Sequence, residues 1–187
     1  STGRGVTGAG SDNGVLTDHP DLEGQLLPGY DFISDAKRAR DNDGYDADPY
    51  DEGDWNEPGE CPAPNGADRG RPSSWHGSHV AGTIAAHTNN GDGVAGVAPD
   101  AKIVPVRALG RCGGESANIV DAITWASGGQ VNGAPANKNP AQILHLSVGG
   151  ARVCPRLYQK ALHAAVERGP IVLAAPGQHN GAARKAA

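Results

Sequence analysis

The feature that most constrains the fold is an alternation of short apolar runs with helical patterns, which starts near residue 70. Some runs have the length of buried strands, and the segments between them carry apolar residues at helical spacing. In chain order these are helix 79–86, strand 101–109, helix 116–126, strand 141–150, helix 155–169 and strand 170–177. Strands that alternate with helices indicate βαβ units. The sequence therefore predicts an α/β fold, with a doubly wound, mostly parallel sheet and helices on both faces.

Helix ends are predicted from single residues. Ser116 is expected to be the N-cap of helix 116–126, because its hydroxyl can accept a hydrogen bond from the first turn. Pro155 is expected to open helix 155–169 and Gly169 to close it.

Length, charge and hydropathy limit the classes of function. The 187 residues predict one domain, 1–187, without a linker or an internal repeat. A formal net charge of −5 argues against a nucleic-acid-binding protein, which would need a basic face. No apolar run approaches the roughly 20 residues of a membrane span. No signal peptide is present, so we expect a mature or trimmed form.

The cysteines Cys61, Cys112 and Cys154 are spaced like neither a zinc site nor a C-x-x-C redox motif. Their odd number leaves three alternatives open. These are a free thiol, an intermolecular bridge, or a partner outside the given chain.

The segment 34–71 is polar, rich in Asp, Gly and Pro, and too long for an ordinary connection. A loop of this size is either disordered or held in place by other interactions. Its stretch DNDGYDADPYDEGD contains Asp41, Asp43, Asp46, Asp48, Asp51 and Asp54. Carboxylates this close repel one another unless a cation neutralises them, and oxygen ligands on a flexible loop suit Ca²⁺. The alternative is a solvated acidic loop, since the spacing matches an EF-hand only in part.

Two histidines, His76 and His79, lie three residues apart in SSWHGSHVAGTIAAHTNNG. Metalloprotease helices carry histidines at i and i+4 with a glutamate base between them, whereas Gly77 and Ser78 fill the gap here. Zinc is therefore disfavoured. Seen alone, the pair would be two ordinary histidines near a helix start, so the neighbouring motifs must decide between that and a catalytic base.

Four segments resemble motifs of the subtilisin-like serine proteases. HGSHVAGTIAA resembles that family's histidine motif H-G-T-H-V-A-G, with Ser78 in place of Thr. SDNGVLTDHPDL resembles the aspartate motif D-[ST]-G-x…H-P-D-L, with Asn13 in the hydroxyl position. LHLSVGG resembles the substrate-binding strand and VLAAPGQHN the oxyanion-hole segment. Order and spacing agree over nearly the whole chain, and the loop spacings are most similar to the calcium-dependent secreted bacterial branch near thermitase.

The resemblance implies a catalytic site. In that family a base takes the proton of a serine hydroxyl, and a carboxylate fixes the tautomer of the base. His76 would be the base, and Asp12 would be the carboxylate, at the end of the first strand. His79 would orient the neighbouring backbone. Gly77 and Gly82 would let the helix pack closely against the sheet.

The resemblance also implies binding sites. An extended peptide would pair with two backbone segments, as an added strand does, namely Gly113, Gly114, Glu115 and Ser147, Val148, Gly149. Gln178 stands where the family has the oxyanion-hole asparagine. Asp21 and Asn90 match the family's tight calcium site, and Asp31 would join the site of the acidic loop.

Further implications concern the cysteines and the whole protein. Cys61 and Cys112 would form a disulfide beside the active-site region, and Cys154 would pair beyond the given sequence. The implied protein is a secreted, extracellular, monomeric endopeptidase with protein and peptide substrates. A propeptide or a protein inhibitor would be a further partner, and neither nucleic acid nor membrane is expected.

Three departures from the family pattern stand out. GVTGAGSDNG is a poor buried strand, Pro176 and Gln178 replace the usual residues, and no G-T-S-[MA]-x-x-P nucleophile motif occurs. We therefore expect a partial catalytic domain whose nucleophile lies in a following segment, so that residues 1–187 alone would be inactive. The alternative is a catalytically inactive relative that binds peptides or calcium.

Overall fold

The computed structural model of the chain describes residues 2–62, 66, 68–149 and 155–174. Its strands are β1 (Thr7–Asp12), β2 (Tyr30–Asp31), β3 (Lys102–Arg107), β4 (Ile143–Leu146) and β5 (Ile171–Ala174). Its helices are α1 (Ala36–Ala39), α2 (His76–Ala85), α3 (Ser116–Ala126) and α4 (Arg156–Glu167), with a 3₁₀ turn at Pro20–Leu22. Within these residues, no helix is both long enough and apolar enough to cross a membrane.

The strands form one five-stranded sheet in the order β2-β3-β1-β4-β5, and every pairing is parallel. The predicted α/β fold is confirmed. β1 is the central strand although its sequence, TGAGSD, is a poor one for a buried strand. β1 pairs with β3 on one side and with β4 on the other, which satisfies its backbone N–H and C=O groups. The tertiary context thus overrides the low strand propensity of this sequence.

Helices cover both faces of the sheet. Successive side chains of a strand point to opposite faces. In β3, Ile103 packs with Ala81 and Ala85 of α2, whereas Val104 and Val106 pack in the core that contains α3 and α4. The parallel arrangement brings the carboxyl ends of all strands to one edge of the sheet, where ligands bind in open α/β folds.

The N-terminal end of α3 differs from the prediction. Its N-cap is Glu115, whose side chain makes no capping hydrogen bond. Ser116 is the first helical residue, and its hydroxyl lies 3.4 Å from the hydroxyl of Tyr158 on α4. The prediction of Ser116 as the cap is therefore wrong, because the N-cap position falls one residue earlier and Ser116 is already helical. Pro155 is the N-cap of α4, and Gly169 follows it with a φ of 116°, as predicted.

The acidic segment 34–71 is tied down at several points along its described residues. Backbone bridges join Asp46 to Asp31, Tyr50 to Val15, and Asn56 to Arg71. The predicted disulfide between Cys61 and Cys112 is confirmed, with Cα atoms 5.3 Å apart. Of the two alternatives for a long loop, the structure has the one held in place by other interactions.

Candidate active site

Asp12 and His76 meet where β1 ends and α2 begins. Nδ1 of His76 lies 2.9 Å from both carboxylate oxygens of Asp12. Because a carboxylate only accepts hydrogen bonds, Nδ1 carries the proton and Nε2 is free to act as a base. The side chain of Asp12 is 5 % exposed and that of His76 is 50 % exposed. The predicted contact is present, with the carboxylate buried and the rest of the imidazole open to solvent.

The pKa of Asp12 is raised on balance, because burial outweighs the hydrogen bonds to its carboxylate. Burial raises the pKa of its carboxyl, while the hydrogen bonds from His76 and from the backbone N–H of Asn13 lower it. A second carboxylate nearby, Asp51, is 1 % exposed, and burial raises its pKa to about 6. One oxygen of Asp51 accepts from the N–H of Gly53, and the other has no partner among the described residues. The floor of the site is therefore rich in buried carboxyl groups.

A glycine is needed where α2 meets the end of β1. A Cβ at Gly77 would lie 2.0 Å from the carbonyl oxygen of Gly14 and 3.1 Å from Cβ of Asp12. Any side chain there would push His76 away from Asp12, so the predicted role of Gly77 has a direct steric reason. The same prediction for Gly82 is wrong, because no atom lies within 4 Å of a Cβ placed at that position.

Asn13 joins the same two elements and is 3 % exposed. Its Oδ1 accepts a 2.8 Å hydrogen bond from the N–H of Gly77, and its Nδ2 donates to the hydroxyl of Ser74 at 3.2 Å. The sequence identified Asn13 only as a departure from a family motif. The two side-chain hydrogen bonds of Asn13 connect residues that are separated by 61 and 64 positions in the chain. No periodic pattern of the sequence could therefore indicate them.

His79 is not part of this arrangement. Its imidazole is exposed and makes no hydrogen bond with the described part of the chain, so its predicted orienting role is not observed. Among the described residues, the one group of His, Cys, Asp and Glu side chains suited to a metal excludes both His76 and His79. Ser78 has a structural role, because its hydroxyl accepts from the N–H of Leu16 at 2.8 Å.

Of the two predicted peptide-binding segments, 147–149 directly follows β4, and 113–115 ends the connection between β3 and α3. Gly113 pairs with Gly110 in a tight turn and has a φ of 90°. A Cβ at Gly114 would lie 2.4 Å from the carbonyl oxygen of Ala108. Glu115 occupies the N-cap position of α3, Val148 packs against the core, and no described residue beyond its chain neighbours lies within 4 Å of a Cβ placed at Gly149. Their role in substrate binding stays a prediction.

His145 of β4 is a residue of this region that the sequence did not reveal. Its Nε2 lies 2.7 Å from the hydroxyl of Ser147 in the predicted peptide-binding segment. Its charge also lowers the pKa of Asp12, although less than burial raises it. The predicted strand LHLSVGG contained the histidine, but nothing in an apolar run marks one side chain as close to a carboxylate on another strand.

A buried arginine neutralises part of the acidic segment. Arg107, at the end of β3, has a side chain that is 1 % exposed. Its Nη1 lies 2.6 Å from a carboxylate oxygen of Asp31 and 2.6 Å from one of Asp41. Its Nη2 donates to the carbonyl of Ala39. The second oxygen of Asp31 accepts from the N–H of Ile33. The predicted calcium ligand Asp31 thus already has a cation beside it.

Three other predicted ligands lie together. Carboxylate oxygens of Asp41, Asp43 and Asp46 are all within 4.8 Å of one another. They line an open cavity of about 440 Å³, together with Asp48 and Arg107. Burial raises the pKa of Asp46, and the neighbouring carboxyls of Asp43 and Asp41 raise it further. A bound cation would relieve this repulsion.

Asp21 and Asn90 also meet. Nδ2 of Asn90 donates to one oxygen of Asp21 at 2.7 Å, and the N–H of Val94 donates to the other at 2.9 Å. These two hydrogen bonds lower the pKa of Asp21, and the bond from Val94 has the larger effect. The loop after α2 is therefore wrapped around a 3 % exposed carboxylate that keeps further lone pairs. Gln178 and Cys154, which the sequence also singled out, lie outside the described residues.

Comparison with known proteins gives the same family that the motifs suggested. A family model described as the subtilase family of peptidases (Peptidase S8) matches residues 3–186. The extracellular protease of Xanthomonas campestris pv. campestris is 53 % identical over 177 residues, which is 95 % of this chain and 30 % of that protein. Thermitase of Thermoactinomyces vulgaris is 31 % identical over 176 residues, or 94 % of this chain and 48 % of that protein.

Solved structures agree with the sequence relatives. A protease of Pseudoalteromonas arctica PAMC 21717 superposes with a TM-score of 0.90 at 49 % identity, covering 95 % of this chain and 51 % of that one. The chain thus spans about a third to a half of the lengths of these relatives.

Proposed function

This chain belongs to the subtilase family, and we propose that it carries the aspartate and the histidine of a serine endopeptidase's catalytic triad. The observation that supports this most directly is the hydrogen bond of Nδ1 of His76, 2.9 Å from both oxygens of a buried Asp12. A base oriented by a carboxylate, with its other nitrogen accessible, is the arrangement that activates a hydroxyl nucleophile.

In the proposed mechanism, Nε2 of His76 takes the proton of a serine hydroxyl as that oxygen attacks the carbonyl carbon of a peptide bond. Asp12 keeps the proton on Nδ1 and stabilises the imidazolium that forms. His76 then returns its proton to the leaving amine. The serine is assigned to none of the 187 residues, because the sequence contains no G-T-S motif. Gln178 is proposed as the side-chain donor to the oxyanion.

The proposed substrates are proteins and peptides in extended conformation. The segment 147–149 follows the carboxyl end of β4, and 113–115 lies in the connection that leads from the carboxyl end of β3 to α3. Their backbone groups are proposed to pair with the peptide as an added strand does. The hydrogen bond between Nε2 of His145 and the hydroxyl of Ser147, 2.7 Å long, would orient the Ser147 side chain in this region. Because the Xanthomonas relative is named an extracellular protease, we also propose that the protein is secreted.

The proposal predicts hydrolysis by the full-length protein and its loss on modification of a serine. Casein cleavage should cease after treatment with a fluorophosphonate, and mass spectrometry should locate one adduct on a serine. The zinc chelator 1,10-phenanthroline serves as the control and should leave cleavage unchanged. Cleavage that survives the fluorophosphonate but is lost with the chelator would indicate a metalloprotease, and no cleavage at all would favour an inactive peptide-binding relative.

We further propose that the acidic segment binds Ca²⁺ through Asp41, Asp43 and Asp46, with Asp48 at the rim of the cavity. The donor set fits, because three carboxylates converge within 4.8 Å and Ca²⁺ prefers oxygen ligands on flexible loops. Asp31 is not assigned to this site, because it is fully buried and lies outside the group of three carboxylates. Asp41 belongs to that group, although Arg107 also lies 2.6 Å from one of its oxygens. Asp21 and Asn90 are proposed as the second site, since their side chains are in contact and the Asn90 amide carries an oxygen besides the nitrogen that Asp21 accepts from.

Chelation is expected to destabilise the protein. A ligand that binds only the native state stabilises it by RT ln(1 + [L]/Kd), which is about 2.7 kcal/mol at 100 times Kd. For a chain of this size, 1 kcal/mol corresponds to about 2–4 °C in Tm, so EDTA should lower Tm by about 5–11 °C. Differential scanning calorimetry with and without excess Ca²⁺ measures the shift.

A matched pair of variants tests the acidic site itself. Asp43→Asn should reduce the EDTA-dependent shift in Tm, whereas Glu167→Gln, an equal loss of charge on the exposed end of α4, should leave it unchanged. An identical shift in all three proteins would exclude Asp43 as a ligand and move the stabilising calcium to the site of Asp21.

A further inference from the structure

We propose that Asn13 is a positioning residue that sets the orientation of His76 by capping α2 from the neighbouring strand. The inference rests on the proposed function, because it concerns the base of that reaction. It starts from two neighbouring contacts between the end of β1 and the start of α2. Asp12, the last residue of β1, contacts His76, and Asn13, the next residue, contacts Gly77.

The start of α2 lacks a cap of its own. A helix leaves its first N–H groups without partners, and the residue before the helix normally supplies a side-chain acceptor. That residue here is Trp75, which has a φ of 50° and makes no side-chain capping bond. Oδ1 of Asn13 accepts from the N–H of Gly77 at 2.8 Å instead. The cap therefore comes from a residue 64 positions away in the chain.

The position of this cap determines where His76 points. His76 is the first residue of α2, so a shift or rotation of the first turn moves its ring directly. Asn13 is covalently next to Asp12, and its backbone N–H also donates to Oδ1 of Asp12 at 2.9 Å. One residue thus contacts Asp12 through its backbone N–H and, through its side chain, Gly77, the helical residue that follows His76.

The amide nitrogen of Asn13 binds Ser74, which lies two residues before the start of α2. Nδ2 of Asn13 donates to the hydroxyl of Ser74 at 3.2 Å, and the N–H of Ser74 donates to Asp54 at 2.6 Å. An amide accepts on one atom and donates on the other without bearing a charge. This property matters beside Asp12, because a charged side chain at the same place would change the ionisation of the pair.

The first test removes both contacts. In the full-length protein, Asn13→Ala should lower kcat on the order of 10²-fold, the loss associated with a displacement of about 1 Å in a catalytic group. KM should change little, because Asn13 does not face the proposed peptide segments. The matched control is Asn118→Ala, since Asn118 is also 3 % exposed but lies on α3 and binds Ser34 and Tyr45. It should leave kcat unchanged.

The second test uses a variant that keeps its shape. Asn13→Asp still offers an oxygen to Gly77 and a carboxylate is favoured at a helix N-terminus, so it should keep most of the kcat that Asn13→Ala loses. Its added negative charge favours protonated His76, so the acid limb of kcat/KM should move to higher pH. Asn118→Asp, with the same charge change far from the pair, should leave the acid limb in place.

A third measurement separates this inference from the proposed function. The hydrogen-bonded Nδ1 proton of His76 should give a downfield NMR resonance in the resting full-length protein, which requires no turnover. The resonance should persist in Asn13→Asp and in both Asn118 variants, and should be lost in Asn13→Ala. A resonance retained in folded Asn13→Ala, or an unmoved acid limb in Asn13→Asp, would overturn the role of Asn13. Absence of hydrolysis in the wild type would contradict only the proposed function.

Discussion

Replacing His76 with alanine in the full-length protein is expected to lower kcat for a peptide substrate by about 10⁶-fold. The magnitude is that of subtilisin, a member of the same family. The physical reason is that a serine hydroxyl is a weak nucleophile at neutral pH. His76 is the base proposed to take the proton of that hydroxyl, and alanine cannot replace it. Asp12→Asn should cost less, about 10⁴-fold, because the base remains but its tautomer is no longer held.

The combination of the two changes is more informative than either alone. Groups that act as one unit lose activity together, so the double variant His76→Ala/Asp12→Asn should be no slower than His76→Ala. Independent contributions would instead multiply. Stopped assays over hours with a chromogenic peptide, corrected for blank hydrolysis, measure rates this low.

The control for this experiment lies on the same helix. His79→Ala should leave kcat and KM unchanged, because the imidazole of His79 is exposed and makes no hydrogen bond with the described residues. A large loss in His79→Ala together with a small loss in His76→Ala would reverse the assignment of the base.

Replacing Arg107 with methionine is expected to destabilise the protein by about 3–5 kcal/mol, the usual cost of leaving one buried charge without its partner. Its guanidinium is 1 % exposed and Asp31 is fully buried, so water cannot replace the lost contact. The expected fall in Tm is about 6–20 °C. Urea unfolding at fixed pH measures the difference, and calorimetry gives Tm.

The size of this loss should depend on pH. Burial raises the pKa of Asp31, and Arg107 opposes that rise. Without Arg107, Asp31 folds as the neutral acid. A group whose pKa is raised on folding contributes stability at low pH and loses it as pH rises through the folded-state pKa. The destabilisation of Arg107→Met should therefore be smaller at pH 5 than at pH 9.

Two further variants define what the ion pair does. Arg107→Met/Asp31→Leu should recover part of the loss, because the unpaired carboxylate is removed with its partner. Arg4→Ala removes an exposed pair, with side chains 86 % and 38 % exposed, and should leave Tm unchanged. A loss for Arg107→Met no larger than that for Arg4→Ala would mean that Asp31 and Asp41 do not depend on Arg107.

Local sequence patterns determined much of the fold. Helical spacing in 116–126 and 155–169 and the β-branched run 101–109 correspond to α3, α4 and β3. Such patterns can be recognised because side-chain periodicity follows directly from backbone geometry. Element ends were less certain. The predicted strand 141–150 contains a β-strand of only four residues, and the N-cap of α3 is Glu115 and not Ser116, because local signals define the ends of an element to within one or two residues only.

The sequence also identified Asp12, His76 and the Cys61–Cys112 disulfide, although by resemblance to a family and not by physical derivation. It suggested that the acidic segment needed a cation. Only the tertiary structure revealed that one such cation is Arg107, which belongs to an apolar strand with no sign of a charged partner.

The same holds for the contact that joins Asn13 to Gly77, and for the position of His145 near enough to Asp12 to lower its pKa. The sequence by itself determined which residues could ionise, accept or cap, because that is a property of each side chain. The tertiary structure decided which of them meet, because parallel strands and crossover helices bring together residues more than 60 positions apart. No local period encodes those distances, so the contacts of Asn13 and Arg107 could be found only in the folded chain.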